Sequence, residues 1–412
     1  MKKILIIEDD PIVAHVYRSR LENEGFQVDV AADGQAGYYR LFEMKPDALV
    51  LDLMLPKLNG VDLLKKIRAT REFEKLPVVV FTNAYVANMI HESISAGASG
   101  VYNKSTATPR QIIDVLNTLL SPEQAQSDAT KTNAGPVTSP ALNDKDDHTF
   151  QKELLTTFMG TSAGTVSEMR KLLQEASRAD EVVRAANIQL LFRKVRSFSS
   201  SAGMAGISSL AKMGAATEAL IKELIDKPKS VTASTLRTTA HAIDFFAELS
   251  KPGVRTDLAD NPPIDILIVD DEMLSRRAIV YALEKAFLKA TAVEDGESAL
   301  AKTQSTKFDL IFLDVNMPGI DGFQLCDRLR QNGPNKSTPV IFVTVNADFQ
   351  VRAQSTLRGA SDVIAKPFMF IELTVKALTF ALRHRLDTQK PPGAASVTAR
   401  SSELVESDEV IL

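Results

Sequence analysis

The stretch "LIFLDVNMPGIDG" (310–322) is an apolar run closed by one aspartate and followed by a loop carrying proline and two glycines. A second version, "ALVLDLMLPKLNG", stands at 48–60. The match extends outward in both directions. Upstream of each lies a short apolar run ending in acids, "ILIIEDD" (4–10) and "ILIVDDE" (266–272). Downstream lie "VVVFT" (78–82) and "VIFVT" (340–344), then "GVYNK" (100–104) and "DVIAK" (362–366). The pairs Glu8/Asp270, Asp9/Asp271, Asp52/Asp314, Thr82/Thr344 and Lys104/Lys366 are all separated by 262 residues. Five polar coincidences in one register mark an internal repeat.

Between the apolar runs lie amphipathic stretches such as "PIVAHVYRSRLENEG" and "VDLLKKIRATREF". Short apolar runs alternating with helical patterns predict βαβ units and a parallel sheet covered on both faces. Right-handed crossovers put the carboxyl ends of all strands on one edge, where open α/β sheets bind ligands. The five repeated polar residues end strands of this kind, so each set should converge on one pocket.

Glu8, Asp9 and Asp52 bring three carboxylates together in the first repeat, and Asp270, Asp271 and Asp314 do so in the second. Close like charges raise one another's pKa. A hard divalent cation relieves this, and Mg²⁺ suits a site with few carboxylates and several retained waters. An added lysine and threonine supply a point charge and a hydroxyl, a combination suited to a phosphoryl group held on a carboxylate. One acid at a strand end is ordinarily a helix cap or a solvated loop residue. A whole set repeated at one offset is not accounted for in that way.

Composition agrees with a soluble, reducing, cytoplasmic setting. Of 412 residues, 44% are hydrophobic and 24% charged, and the net charge of −4 gives no footprint for bulk nucleic-acid or membrane binding. Cys326 is the one cysteine, so no internal disulfide forms. The opening "MKKILIIEDD" begins like a signal peptide, but its apolar run stops at Glu8. No apolar run of about 18 residues predicts a membrane span.

Both repeats resemble receiver domains of two-component response regulators, over residues 2–120 and 264–387. The resemblance implies a flavodoxin-like (βα)5 doubly wound sheet in each. It implies that Asp52 and Asp314 accept phosphoryl groups from a phosphohistidine. Asp9 and Asp271 would bind Mg²⁺ directly and Glu8 and Asp270 would assist through water. Thr82 and Thr344 would hydrogen-bond the phosphoryl oxygen, and Lys104 and Lys366 would pair with it. Some positions depart from the family pattern. Lys366 is followed by the customary Pro367, Lys104 by Ser105. Val101 and Val363 stand where the family often has a switching aromatic, and Tyr102, one residue later, should face the other way. Asn83 and Val345 are larger than the usual residue after the threonine. The second repeat is expected to be the more conventional receiver.

Residues 121–147 and 250–263 read as linkers and 388–412 as a disordered tail. Between the linkers, 148–249 predicts an all-α bundle, with helices near 148–158, 161–177, 181–200, 204–225 and 231–249. Its order and lengths resemble a histidine phosphotransfer domain. In "RKVRSFSSSAGMAGISSLAKMG" (193–214), Arg193 falls where the phosphorylatable histidine belongs and Arg196 where a lysine belongs. A guanidinium stays protonated and is a poor phosphoryl relay. The two arginines therefore read either as a solvated helix face or as a surface that docks a receiver without transfer.

The expected function is phosphorelay signal transduction, with a histidine kinase or phosphotransfer protein upstream and a downstream signalling protein as output. A receiver–receiver dimer is a further partnership the resemblance allows. A phosphorylation-independent scaffold is the alternative. No helix-turn-helix, cyclase, phosphodiesterase or kinase motif is visible, so neither DNA reading nor an enzyme for diffusible substrates is expected.

Overall fold

The computed structural model describes residues 1–82, 87–104, 109–121, 145–286, 288–331, 333–345 and 359–389. Most of the first linker and of the tail lies outside these, as do Asn83 and Ser105.

The first receiver runs β1 (Lys3–Ile7), α1 (Pro11–Asn23), β2 (Gln27–Ala31), α2 (Gly34–Met44), β3 (Ala48–Leu51), α3 (Gly60–Ala69), β4 (Val78–Thr82), α4 (Ala87–Ser95), β5 (Gly100–Asn103) and α5 (Pro109–Leu120). A bundle follows: α6 (Lys145–Arg178), α7 (Glu181–Met204), α8 (Ser208–Asp226) and α9 (Ala233–Leu249). The second receiver comprises β6 (Asp265–Val269), α10 (Met273–Lys285), β7 (Lys289–Val293), α11 (Gly296–Ser305), β8 (Leu310–Asp314), α12 (Gly322–Gln331), β9 (Val340–Thr344), β10 (Asp362–Ala365) and a final helix, here α13 (Phe370–Gln389).

Each sheet has five strands, ordered β2-β1-β3-β4-β5 and β7-β6-β8-β9-β10, and the paired strands run parallel. This is the expected flavodoxin-like order, with its crevice where the winding reverses beside β1 and β6. All residues of β3, β4, β8 and β9 are buried. Helices cover both faces, which is why these strands read as unbroken apolar runs rather than alternating ones. The repeat extends to the caps. Asp33 accepts from Ala36 N at the start of α2, and Asp295 from Ser298 N at the start of α11, each at 2.8 Å. Val101 packs on one face of its sheet and Tyr102 on the other, as strand alternation requires.

The bundle differs from expectation in three respects. The stretches near 148–158 and 161–177 form one continuous helix, α6. Gly160 and Gly164 lie inside it with open space around them. A glycine on an exposed helix face costs about 1 kcal/mol relative to alanine, which a well-packed opposite face can absorb. The turn after α7 comes later than expected, at 205–207, because the helix continues through Met204, with Phe198, Ser199, Ser200 and Ala202 buried along it. Gly206, at φ 79°, supplies the left-handed backbone that ends it.

The third difference is the largest. The bundle and the second receiver share a single core. Phe198, Leu210, Phe245 and Phe246 of the bundle belong to the same buried cluster as Ile266, Ile268 and Phe312 of the second sheet. Helix α13 joins them, packing on α8, α9 and α10. Leu373, Val375, Ala377, Leu378, Ala381 and Leu382 have no exposed surface. A helix apolar nearly all round must be buried on several sides. Two of its polar residues find partners across the seam. Glu372 accepts from Ser234 Oγ (2.6 Å) and Thr238 Oγ1 (3.0 Å), and Arg383 pairs with Glu248 at 3.2 Å.

The 250–263 linker is packed as well. Leu258 and Ala259 are buried. Arg385 donates to the carbonyls of Leu258 (2.7 Å) and Pro263 (2.9 Å) and pairs with Asp309 at 2.6 Å. No helix among the described residues is long and apolar enough to cross a membrane.

The shared core should make the bundle and second receiver unfold as one unit. Leu378→Ala is expected to lower the stability of that unit by about 2–5 kcal/mol. Hydrogen exchange read by mass spectrometry should show faster opening in α6–α9 and β6–β10 together, with β1–β5 unchanged.

Candidate functional site

In each receiver the acids, threonine and lysine lie at the carboxyl edge of the sheet. Glu8 and Asp9 follow β1, Asp52 follows β3, Thr82 ends β4 and Lys104 follows β5. Asp270 and Asp271 follow β6, Asp314 ends β8, Thr344 ends β9 and Lys366 follows β10. The glycine closing each quoted loop is there for space. A Cβ on Gly60 would lie 2.2 Å from the carbonyl oxygen of Asp52, and one on Gly322 2.1 Å from that of Asp314. Only glycine lets the helix start close against the aspartate's own backbone.

The structure brings four of the five predicted groups together in the first receiver, and Thr82 is buried at the end of the neighbouring strand β4. Carboxylate oxygens of Glu8, Asp9 and Asp52 come within 4.8 Å of one another. Lys104 Nζ bridges Glu8 Oε2 (2.5 Å) and Asp52 Oδ2 (2.9 Å). Lys104 and Asp52 are each 2% exposed, so this is an interior ion cluster rather than a surface one.

The second receiver repeats the set more openly. Oxygens of Asp270, Asp271 and Asp314 again lie within 4.8 Å of one another. Lys366 Nζ is 2.8 Å from Asp270 Oδ2 and 3.6 Å from Asp314 Oδ1. Asp270 is further held by Ser275 Oγ at 2.6 Å and by the backbone N–H of Glu272 at 3.0 Å. Asp271 is exposed, and Lys366–Pro367 is cis. Val345 is 74% exposed, so its size does not close this pocket.

The pockets differ by one side chain from outside the receivers. Arg196 of α7 enters the first pocket and is buried there. Its Nη2 pairs with Asp52 Oδ2 and, at 2.9 Å, with Asp9 Oδ1. Its Nη1 donates to Asp9 Oδ2 at 3.2 Å and to the main-chain carbonyl of Met54. Its Nε lies 3.7 Å from Glu218 Oε1 on α8. Nearby, Met204 at the end of α7 packs against the apolar cluster beneath α1 and α5. Arg193 lines the cleft beside this contact but is exposed and forms no ion pair with any described residue. Of the two arginines on the predicted helix face, one is therefore solvated and the other is inside a receiver.

The charges respond accordingly. Burial works to raise Asp52, but Lys104 and Arg196 outweigh it and hold the carboxyl well below the usual range. Burial pushes Glu8 upward against the pull of Lys104. It also raises Asp9, which Arg196 only partly offsets. Glu218 is pushed up to about 7 by burial, again partly offset by Arg196. In the second receiver burial pushes Asp314 up to about 6; Lys366 opposes this, while Asp270 and Asp271 add to it.

Sequence reasoning missed Glu218 and the Met54 carbonyl. Glu218 sits in a helix of ordinary amphipathic pattern, and a backbone carbonyl has no signature in side-chain spacing. His241 packs edge-on against Phe380 of α13 at 6.1 Å between centroids.

Comparison with known proteins agrees with this geometry. The family model described as "Response regulator receiver domain" matches residues 4–117 and 266–378. The chain is 40% identical over 115 residues to the transcriptional regulatory protein ResD of Bacillus subtilis, covering 27% of this chain and 47% of that protein. It is 33% identical over 110 residues to protein PilG of Pseudomonas aeruginosa, covering 27% of this chain and 82% of that protein. A solved receiver domain of the sensor histidine kinase PA1611 of Pseudomonas aeruginosa, with magnesium coordinated in its active site cleft, is 27% identical with a TM-score of 0.28, covering 29% of this chain and 97% of that one. The chain spans about half the length of ResD, the transcriptional regulator it matches. With both sheets inside matched segments that together make up more than half of its length, the chain belongs to the response regulator receiver domain family.

Proposed function

We propose that this protein is a two-component signalling protein that accepts phosphoryl groups on Asp314 and Asp52 from a phosphohistidine and passes the signal on through protein–protein contacts. The observation that carries this reading is the double pocket: acids, threonine and lysine recur at one offset, and the acids and lysine close into the same constellation twice.

In the transfer step a carboxylate oxygen of the aspartate attacks phosphorus, a P–O bond forms, and the P–N bond breaks with its electron pair going to the imidazole. The lysine neutralises the phosphoryl oxygens and the threonine hydroxyl donates to one of them, so the protein contributes mainly positioning. Asp270, Asp271 and Asp314, and Glu8, Asp9 and Asp52, would hold Mg²⁺, which supplies charge neutralisation when bound. Both donor sets fit: each is all oxygen, and each gathers three carboxylates whose oxygens lie within 4.8 Å of one another.

In this reading the bundle is a phosphotransfer-like domain that has lost its chemistry. Arg193 stands in the histidine's place and remains protonated, so phosphate does not travel between the receivers through α7. The protein acts in the cytoplasm and turns over no diffusible substrate. A phosphorylation-independent scaffold is the second reading. Arg196 in the first pocket favours it for that receiver alone.

Acetyl phosphate with Mg²⁺ should label the full chain, and Asp314→Ala should remove most of the label when phosphate is counted by intact mass. Unchanged labelling in an Asp52→Ala/Asp314→Ala double variant would sink the assignment.

The raised pKa of Asp314 gives a second test. Between its unfolded value near 4 and its folded value of about 6, the native state binds more protons than the unfolded one. In EDTA, stability should therefore fall as pH rises through that window. Asp314→Asn should recover about 1 kcal/mol at neutral pH, less than the full shift implies because the pocket mouth is solvated. Millimolar Mg²⁺ should remove the pH slope in the parent protein, as followed by urea denaturation.

A further inference from the structure

We infer that the Arg196 guanidinium is the resident cation of the first receiver's acidic pocket, so that docking of the helical bundle and binding of Mg²⁺ at that pocket exclude each other. This deepens the proposed function, since it rests on the reading that both pockets are Mg²⁺ sites.

The contacts of Arg196 include two of the three carboxylates that would hold a divalent ion. It pairs with Asp9, donating to its Oδ2 oxygen, and with the Oδ2 oxygen of Asp52, and it also donates to the carbonyl of Met54. A planar fork of N–H donors matches such a set of oxygens, and a guanidinium does not deprotonate to make way. An octahedral ion needs its oxygens at about 2.0–2.1 Å together with several retained waters, and the buried arginine fills that volume. The pocket can therefore take Mg²⁺ only when α7 moves away from the first receiver.

The second receiver is the internal control. It carries the same acids and lysine at the 262-residue offset, yet among the described residues no arginine is paired with Asp314, and Asp271 is exposed. Among the described residues, the first receiver meets the bundle through the guanidinium, the Met204 contact and the packing of α7 near α1, and none of its residues belongs to the bundle's buried core. A contact of this kind can be released, whereas the joint with the second receiver cannot be without opening its core.

Coupling of this sort is reciprocal: if docking weakens Mg²⁺ binding, Mg²⁺ weakens docking by the same factor. The same exclusion applies to an incoming phosphohistidine, which would need the Asp52 oxygen that Arg196 covers. The first receiver is then phosphorylated only from the undocked form, while no described residue of the bundle enters the second pocket.

The test uses Mg²⁺ alone and the full chain. Calorimetric titration is run on the parent, on Arg196→Met, which keeps an apolar stem in the seam, and on Arg196→Ala. Each is repeated with the second receiver silenced by Asp271→Ala and Asp314→Ala. With that receiver silenced, either Arg196 substitution should tighten Mg²⁺ binding at the first pocket by about tenfold or more. Small-angle scattering of the parent should show expansion as Mg²⁺ fills the first pocket, and both Arg196 variants should be expanded without it. Equal affinity at the first pocket with and without Arg196 overturns the inference, as does Mg²⁺ saturation of that pocket with an unchanged scattering curve. Absence of Mg²⁺ binding at the unsilenced second receiver overturns the Mg²⁺ reading itself, and the exclusion with it.

Discussion

Three carboxylates at the end of one sheet are stable only if something positive answers them. Much of the molecule's polar architecture follows from that constraint. It explains why a lysine closes each pocket from β5 and β10, and why Asp270 also takes hydrogen bonds from Ser275 and the Glu272 backbone. It also explains why the two pockets differ in charge state. With a second cation present, Asp52 stays ionised far into acid, whereas Asp314 holds its proton up to about 6. A buried cation without a partner would be strongly destabilising, so Arg196 and the acids are each other's condition for burial.

The receiver fold was legible because its signals are local and doubled. Strand runs, strand-end acids and the loop glycines each had a physical reason, and the constant offset removed the ambiguity of any single motif. The site followed from topology, since parallel strands carry their carboxyl ends to one edge. What stayed hidden was contact between units. Arg196 and Arg193 are three residues apart on the same helix side with the same charge, and nothing in the spacing says that one reaches Asp52 while the other stays in solvent. Helix α13 was hidden for a similar reason. Glu372, Lys376 and Arg385 suggest a solvated face, but each is buried with a specific partner. Helical period identifies an apolar stripe, not the element that covers it. The continuity of α6 through Gly160 and Gly164 shows the converse, a local breaker signal overridden by packing along the opposite face.

The two receivers, near copies in their chemistry, have diverged most at their last helices. Helix α5 spans 12 residues and stays with its own sheet, whereas α13 spans 20 and enters the bundle. The longer helix turns the second receiver into part of the bundle's wall. Among the described residues, the first meets the bundle through its ligand-binding edge and the adjoining α1 side.

This difference bears on how such a chain can be recombined. A receiver joined to its neighbour through its acidic pocket can be replaced by another receiver, provided the substitute accepts an arginine there. A receiver whose final helix supplies the neighbour's core has no such freedom. Its helix and the bundle's inner faces must be inherited together, as one block of sequence. The duplication thus left one exchangeable copy and one fixed copy, and α13 is the element that separates the two fates.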